Sequence, residues 1–370
     1  MIIKRIDKLV KRINKSHYWE IKTTLVAFFL IQLSSFPSYN LEYDNWSDQY
    51  EKSSNIFSNL DRASGFSHKA KINVRITVPI IIKIFNLSPL GLILLKNITG
   101  IIFTFLILKL FFRIVEDRYL SILLTFSCSF VGFGKASTLD PSQIFDGLSL
   151  MLVLCSAILN NPILIMLSIV FGFFNDERTI ISVFLFSLYY FQFKTKQKPE
   201  NYNRYPLIAF ISLILFIICR AYMQLKLGMD APIDGVGISS FLSQINSISI
   251  GYFMFLEGFW IIVLYSAYLV WSKNKTNLLF FIIMISFLFG SLSSFLVFDH
   301  SRSLIYSFPI IFFGLSYIKP LISYKKLKNL VVAVLISSIL IPSVSFGGKS
   351  SYWTHYSLPT QLIRMVTDKY

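Results

Sequence analysis

The residues able to do chemistry are carboxylates and guanidinium groups set in short polar breaks between long apolar runs. Asp44 and Asp48 stand four apart in the stretch YDNWSDQYEKSS. If that stretch is helical, both acids share one face, with Tyr43 and Trp46 close by. A carboxylate beside aromatic rings suits a sugar, because ring faces cover apolar C–H surface while the acid takes a hydroxyl proton. The turns Asn175-Asp176-Glu177-Arg178 and Asp299-His300-Ser301-Arg302 each put acid and arginine together where the chain passes between apolar segments. Such groups at a membrane boundary seek each other or a charged ligand. Arg75, Lys83, Lys96, Arg178, Arg220 and Arg302 would give a cavity a basic rim. That rim suits phosphate or pyrophosphate, whose oxygens guanidinium forks bind bidentately. Glu257, in YFMFLEGFW, and Arg220 lie within apolar runs, where an ionisable group is costly and marks function. One expectation is that these two pair with each other.

The elements that must position these groups are membrane helices. Hydrophobic residues make up 54% of the 370 and charged residues only 15%, against roughly 25% charged in soluble domains. A net charge of +16 in so apolar a chain is better explained by basic cytoplasmic loops than by nucleic acid, for which no recognition motif is present. A bilayer-spanning helix needs about 20 apolar residues, and apolar segments fall at 21–36, 88–112, 119–134, 147–160, 162–174, 178–193, 206–224, 248–271, 277–298, 303–319 and 329–346. The expectation is an all-α polytopic transmembrane bundle of about eleven spans. Residues 147–174 read as a hairpin turning at Asn160, Asn161 and Pro162. Residues 74–86 read as a half-buried helix on the outer face. Tyr18 and Trp19, Tyr189 and Tyr190, Trp271 and Tyr317 read as interfacial anchors.

Basic residues crowd the tail and the breaks at 113–118, 194–204, 273–275 and 319–328. By the positive-inside rule these face the cytoplasm. The organisation is then a cytoplasmic basic tail (1–20), a transmembrane domain (21–346) whose first external loop is 37–87, and an external tail (347–370). This orientation rests on Lys and Arg alone. It nevertheless gathers most carboxylates outside: Asp44, Asp48, Glu51, Asp61, Asp140, Asp146, Asp176, Glu177, Asp230, Asp234 and Asp299.

Other chemistries lack their residues. No P-loop, GxSxG, HExxH or CxxC occurs, and the four histidines have no ligand spacing. Cys128, Cys155 and Cys219 stand apart inside apolar runs and read as small core hydrophobes.

The pattern of spans and turns over residues 20–320 resembles the GT-C-type membrane glycosyltransferases of bacterial surface-polysaccharide assembly. The resemblance is carried by the first-loop acids, by Arg75-Ile-Thr-Val-Pro79, by Asp176-Glu177-Arg178 and by Asp299-x-x-Arg302. It implies a GT-C-like fold in the inner membrane and an enzyme that takes sugar from a polyprenyl-phosphate carrier. The acceptor would be a glycan or lipid-linked glycan on the external, periplasmic face, in surface polysaccharide or O-antigen synthesis. Asp44 or Asp48 would be the catalytic base. Arg75, Lys83, Asp176, Glu177, Arg178, Arg220, Glu257, Asp299 and Arg302 would bind substrate, with a divalent cation as an optional cofactor. The chain departs from the family in lacking a tightly paired acid in the first loop. O-antigen polymerases resemble it in length and span number, and on that reading Arg75, Arg178 and Arg302 outweigh Asp44. A flippase or transporter would instead depend on Glu257 and Arg220.

Overall fold

Polar residues punctuate the apolar runs, and the helices begin and end on them. The computed structural model describes residues 2–35, 44–59, 73–138, 146–193, 204–229, 237–272, 278–294, 296, 300–341, 345–347 and 350–352. In chain order the helices are α1 (Ile2–Asn14), α2 (Trp19–Ser34), α3 (Asp44–Ser54), α4 (Thr77–Phe85), α5 (Pro89–Val115) and α6 (Arg118–Cys128). Then come α7 (Gly132–Ala136), α8 (Asp146–Ile158), α9 (Pro162–Asn175), α10 (Thr179–Gln192), α11 (Tyr205–Leu227) and α12 (Ile238–Gln244). The last are α13 (Ile248–Met254), α14 (Trp260–Ser272), α15 (Leu278–Ser294), α16 (His300–Leu304), α17 (Ile310–Ile318) and α18 (Tyr324–Leu340). Two short antiparallel strands, β1 (Ser345–Gly347) and β2 (Ser350–Tyr352), follow.

Caps explain the boundaries. The Ser88 hydroxyl accepts the Gly91 N–H at 3.2 Å, and Pro89 fills the first position of α5. Asn161 does the same for α9, its side-chain oxygen accepting from Ile163 and Leu164 behind Pro162. The apolar run 147–174 is therefore two helices. They pack closely, and Asn175 at the end of α9 donates to Ser149 in the first turn of α8 at 2.6 Å, so the pair runs antiparallel.

Among the described residues, three helices are long and apolar enough to cross a membrane: Pro89–Val115, Tyr205–Leu227 and the composite Arg302–Leu321. Shorter apolar helices occupy Asp146–Ile158, Pro162–Asn175 and Thr179–Gln192. The expected continuous span 248–271 is instead two helices, α13 and α14, bent by 85° at a short break. Glu257 adopts φ +46 there. Gly258 has no room for a side chain, since a β-carbon would lie 2.4 Å from Ser338 Oγ. The backbone carbonyls of Tyr252 and Phe253 accept from the Trp260 indole N–H at 3.2 and 3.0 Å.

The core is aromatic. Phe111, Phe133, Phe186, Phe259, Phe308 and Phe312 are buried and meet with centroids 5.4–6.2 Å apart, in geometries that add to area burial. Tyr189 and Tyr190, expected as interfacial anchors, join this interior. Tyr190 donates its hydroxyl to the Ala157 carbonyl, and the Tyr189 hydroxyl lies 2.9 Å from that of Ser316. A phenol that finds an internal partner has no need of the interface. Trp271 remains exposed.

The expected basic tail is ordered over residues 2–14 as α1. Val10 and Ile13 are buried against the bundle, and Asp7 accepts the Tyr119 hydroxyl at 2.7 Å. Arg5, Lys8, Lys11 and Arg12 remain exposed. The periodicity of KRIDKLVKRI produces this two-faced helix.

Candidate functional site

At the end of the bundle where α8 and α10 begin and α9 ends, charged side chains from four separate stretches of chain meet. Asp146 opens α8. Its neighbour Gly147 allows Ser137 to approach, since a β-carbon would lie 2.3 Å from the Ser137 carbonyl oxygen. Asp176 leaves α9 in an extended conformation, and its Oδ1 accepts the Arg178 N–H at 3.0 Å, which holds the turn into α10. Arg302 sits on α16, and Arg75 lies just before α4.

Arg178 is the hub. Its Nε donates to Asp176 Oδ1 at 2.8 Å, and its Nη2 lies 2.5 Å from Asp176 Oδ2 and 3.1 Å from Asp146 Oδ1. Its Nη1 donates to the Ser303 hydroxyl at 3.3 Å, and its guanidinium carbon stands 5.3 Å from the Tyr306 ring centroid. Asp146 also accepts from Arg302 Nε at 2.8 Å and from the Tyr306 hydroxyl at 3.1 Å. Arg75 Nη2 bridges Asp176 at 3.3 Å and Glu177 at 3.4 Å.

Burial grades the cluster. Asp146, Asp176 and Tyr306 are buried. The Arg75 side chain is 11% exposed, Arg302 21% and Glu177 40%. Burial alone would raise the Asp176 carboxyl, but Arg178 and Arg75 outweigh it and hold the group well below the usual carboxylate range. Burial would likewise raise Glu177, and Arg75 again brings it below its ordinary value. Arg178 is held protonated by Asp176 and Asp146 against the effect of its burial.

Chemically this is a buried ion-pair network whose arginines are held in place. The buried carboxylates orient Arg178 and Arg302, and Arg302 and Glu177 are its more accessible members. The donor set does not suit a divalent cation, because Asp146 and Asp176 are each already neutralised by guanidinium groups. Among the described residues no group of three or more His, Cys, Asp or Glu gathers to hold a metal ion.

The site thus unites Arg75, Asp176, Glu177, Arg178 and Arg302. Arg220 on α11 is half-buried over the Phe216 ring, at 5.8 Å, and its charge acts on Glu177. Lys83 lies on the exposed face of α4, away from the buried face of Thr77, Val78, Pro79 and Ile82. Lys96 is buried in α5. Asp48 is buried on α3, which packs against α4. Asp44 is the first residue of α3, and its side chain lies outside the described residues, as does Asp299. Glu257 does not meet Arg220. It is buried, and its charge acts on Lys135 of α7.

Asp146, Ser303 and Tyr306 were not singled out as site residues. Asp146 had a visible signal, an acid directly before an apolar run, as Asp176 is. Ser303 and Tyr306 had none, since a serine and a tyrosine in an apolar segment look like packing.

The chain matches no family model, no curated protein and no solved structure.

Proposed function

We propose that the protein is a polytopic glycosyltransferase of the bacterial inner membrane, with a GT-C-like fold, about eleven spans, a cytoplasmic N-terminus and an external C-terminus. It transfers a sugar from a polyprenyl-phosphate-linked donor to a glycan acceptor on the periplasmic face. The observation that carries this reading is the convergence of Arg75, Arg178 and Arg302 on one end of the bundle, held by Asp146 and Asp176. Fixed guanidinium groups favour a phosphate that gains charge as its bond to the sugar breaks. The first-loop helix α3, which carries Asp44 and Asp48, packs on α4, the helix that follows Arg75 in the chain, and this supports the reading.

In the proposed reaction, Asp44 or Asp48 accepts the proton of the acceptor hydroxyl. The hydroxyl oxygen forms a bond to the anomeric carbon from the face opposite the phosphate. The anomeric C–O bond breaks, its electron pair leaves with the lipid phosphate, and the configuration inverts. The test replaces Asp44 and Asp48 by Asn, singly and together, and measures lipid-linked glycan in cells that express the variants at wild-type levels. The expected result is accumulation of unextended acceptor; normal glycan from the double variant would refute the role of these acids.

A repeat-unit polymerase is the second reading, and it is favoured by the same three arginines, which such an enzyme would use to hold lipid pyrophosphate. It predicts products shortened to a single repeat when Arg302 is lost, with the first-loop acids dispensable. The flippase reading expects Glu257 and Arg220 to act as a pair, and these residues have separate neighbours.

A further inference from the structure

Three basic stretches that lie far apart in the chain meet around Tyr119. They are residues 1–22, 109–118 and 319–328, in which fourteen Lys and Arg stand against four acids. The Tyr119 hydroxyl, on α6, donates to Asp7 of α1 at 2.7 Å, and Lys328 Nζ of α18 stands 4.8 Å from the Tyr119 ring centroid. Tyr324 opens α18 and donates its hydroxyl to Asp117 at 3.4 Å. The Arg118 guanidinium carbon lies 5.5 Å from the Trp19 ring of α2.

Each of the four acids already has a partner. Asp7 also meets Lys11 at 2.7 Å, Glu20 meets Lys109 at 2.8 Å, Glu116 meets Lys319 at 2.8 Å, and Asp117 accepts the Leu120 N–H at 2.8 Å. Arg5, Lys8 and Arg12 of α1, Arg118 of α6, and Lys325 and Lys326 of α18 remain exposed. Three- and four-residue spacing sets Arg5, Lys8 and Arg12 along one side of α1, while Val10 and Ile13 are buried against the bundle. The fold thus gathers an excess of positive charge on a face shared by three elements.

Two observations say what such a face meets. The apolar helix Arg302–Leu321 starts in the Asp146 cluster and ends here, where Lys319 holds Glu116. From Arg302 to Lys319 it rises about 26 Å at 1.5 Å per residue, close to the roughly 30 Å of a bilayer's hydrocarbon. The exposed surface also changes character at once beyond the basic residues. Ile21, Leu25 and Phe29 follow on α2 at four-residue spacing, each more than half exposed. A basic face bordered by exposed apolar side chains matches the boundary between headgroups and hydrocarbon.

We propose that this face seats on the anionic headgroups of one membrane leaflet and gathers acidic phospholipid around α1 and the start of α18. Many mobile negative charges at a surface suit lysines and arginines spread over three elements. The inference concerns the bulk phospholipid of the bilayer and is independent of any sugar transfer.

The test uses the full chain in phosphatidylcholine nanodiscs that carry a trace of one of two probes. These are phosphatidylglycerol and phosphatidylcholine, each with a photoreactive diazirine in its headgroup. After irradiation, labelled residues are located by mass spectrometry. The phosphatidylglycerol probe should label α1 and the start of α18 at least about fivefold more than the neutral probe, the factor that one basic residue supplies near an anionic surface. Arg5→Gln, Lys8→Gln and Arg12→Gln together should bring the ratio at α1 close to one. The melting temperature should stay near wild type, because Val10, Ile13 and Asp7 hold α1 in place. Lys325→Gln with Lys326→Gln should lower the ratio at α18, and this second variant keeps the test decisive if the first unfolds. Salt at about 1 M, where the Debye length is about 3 Å, should erase the preference. Equal labelling by both probes in the wild-type chain would make this a solvated face and overturn the proposal, as would a preference that survives both variants. Loss of the preference on adding inorganic phosphate at constant ionic strength would reveal a free-anion site, and would overturn it too.

Discussion

Arg178 and Asp146 are joined at 3.1 Å through the same nitrogen that sits 2.5 Å from Asp176. One guanidinium thus ties the start of α8 to the turn between α9 and α10. Removing it leaves buried Asp176 with Arg75 alone, at 3.3 Å, and takes one of two guanidinium partners from buried Asp146. Arg178→Ala is expected to destabilise the protein by about 3–5 kcal/mol. Arg178→Lys should recover only part of this, because a point charge cannot reproduce four directed contacts to three residues. Thermal unfolding in detergent, compared across the two variants, measures both effects.

Arg302 holds Asp146 from a more open position. Arg302→Gln keeps a hydrogen-bond donor there and should fold normally, with a melting temperature near wild type. Its glycan output should fall on the order of 10²-fold, the usual consequence of removing one donor to a developing negative charge. Wild-type output from a well-folded Arg302→Gln chain would detach this arginine from function.

Asp176 gives the fold an acid limit. Its folded-state pKa is depressed by Arg178 and Arg75 despite burial. Its contribution to stability is therefore fully present above the unfolded value of about 3.9, and is lost as pH falls through the lower folded value. Unfolding midpoints measured from about pH 5 downward should fall steeply in the wild type. In Asp176→Asn the curve should start lower and be flatter over the same interval.

Lys52 on α3 shows the opposite sign. It is buried, it donates to the Ser58 carbonyl, and burial pushes its pKa down to about 8 from 10.5. Between these values the unfolded chain binds more protons than the folded one, so stability rises with pH from about 8 to 10.5. Lys52→Met should remove that rise. Unfolding midpoints of the wild type and of Lys52→Met, compared between about pH 8 and 10.5, measure the difference.

Buried Glu257 acts electrostatically on half-buried Lys135. Glu257→Gln removes the lysine's nearby negative charge and should destabilise the chain, whereas Lys135→Met with Glu257→Gln should recover most of the loss. A double-mutant cycle in thermal unfolding reads the coupling directly.

Much of the site could be read from the sequence because its residues sit at span ends. Arg75, Asp176, Glu177, Arg178 and Arg302 all interrupt apolar runs, and a charge there stands out. Asp146 occupies the same kind of position, but nothing in one sequence ranks it above Asp140. The influence of Glu257 on Lys135 was hidden because Lys135 stands just past the apolar segment 119–134, where a basic residue reads as a span end, whereas Arg220 lies within an apolar run like that of Glu257. The bend at Glu257 escaped notice for a related reason: hydropathy registers apolar content along a window and is blind to a change of direction. Tyr189 and Tyr190 were misplaced because amphipathic rings near a span end fit an interface and an interior equally well, until their hydroxyls are seen to have protein partners.

The Trp260 indole supplies the donor that α13 loses where it stops. A helix that turns through 85° ordinarily strands carbonyls, and in hydrocarbon those would draw water inward. The ring nitrogen stands in for the missing peptide N–H at the corner, so the bend costs the chain fewer unmet carbonyls, and Trp260→Phe should take that compensation away.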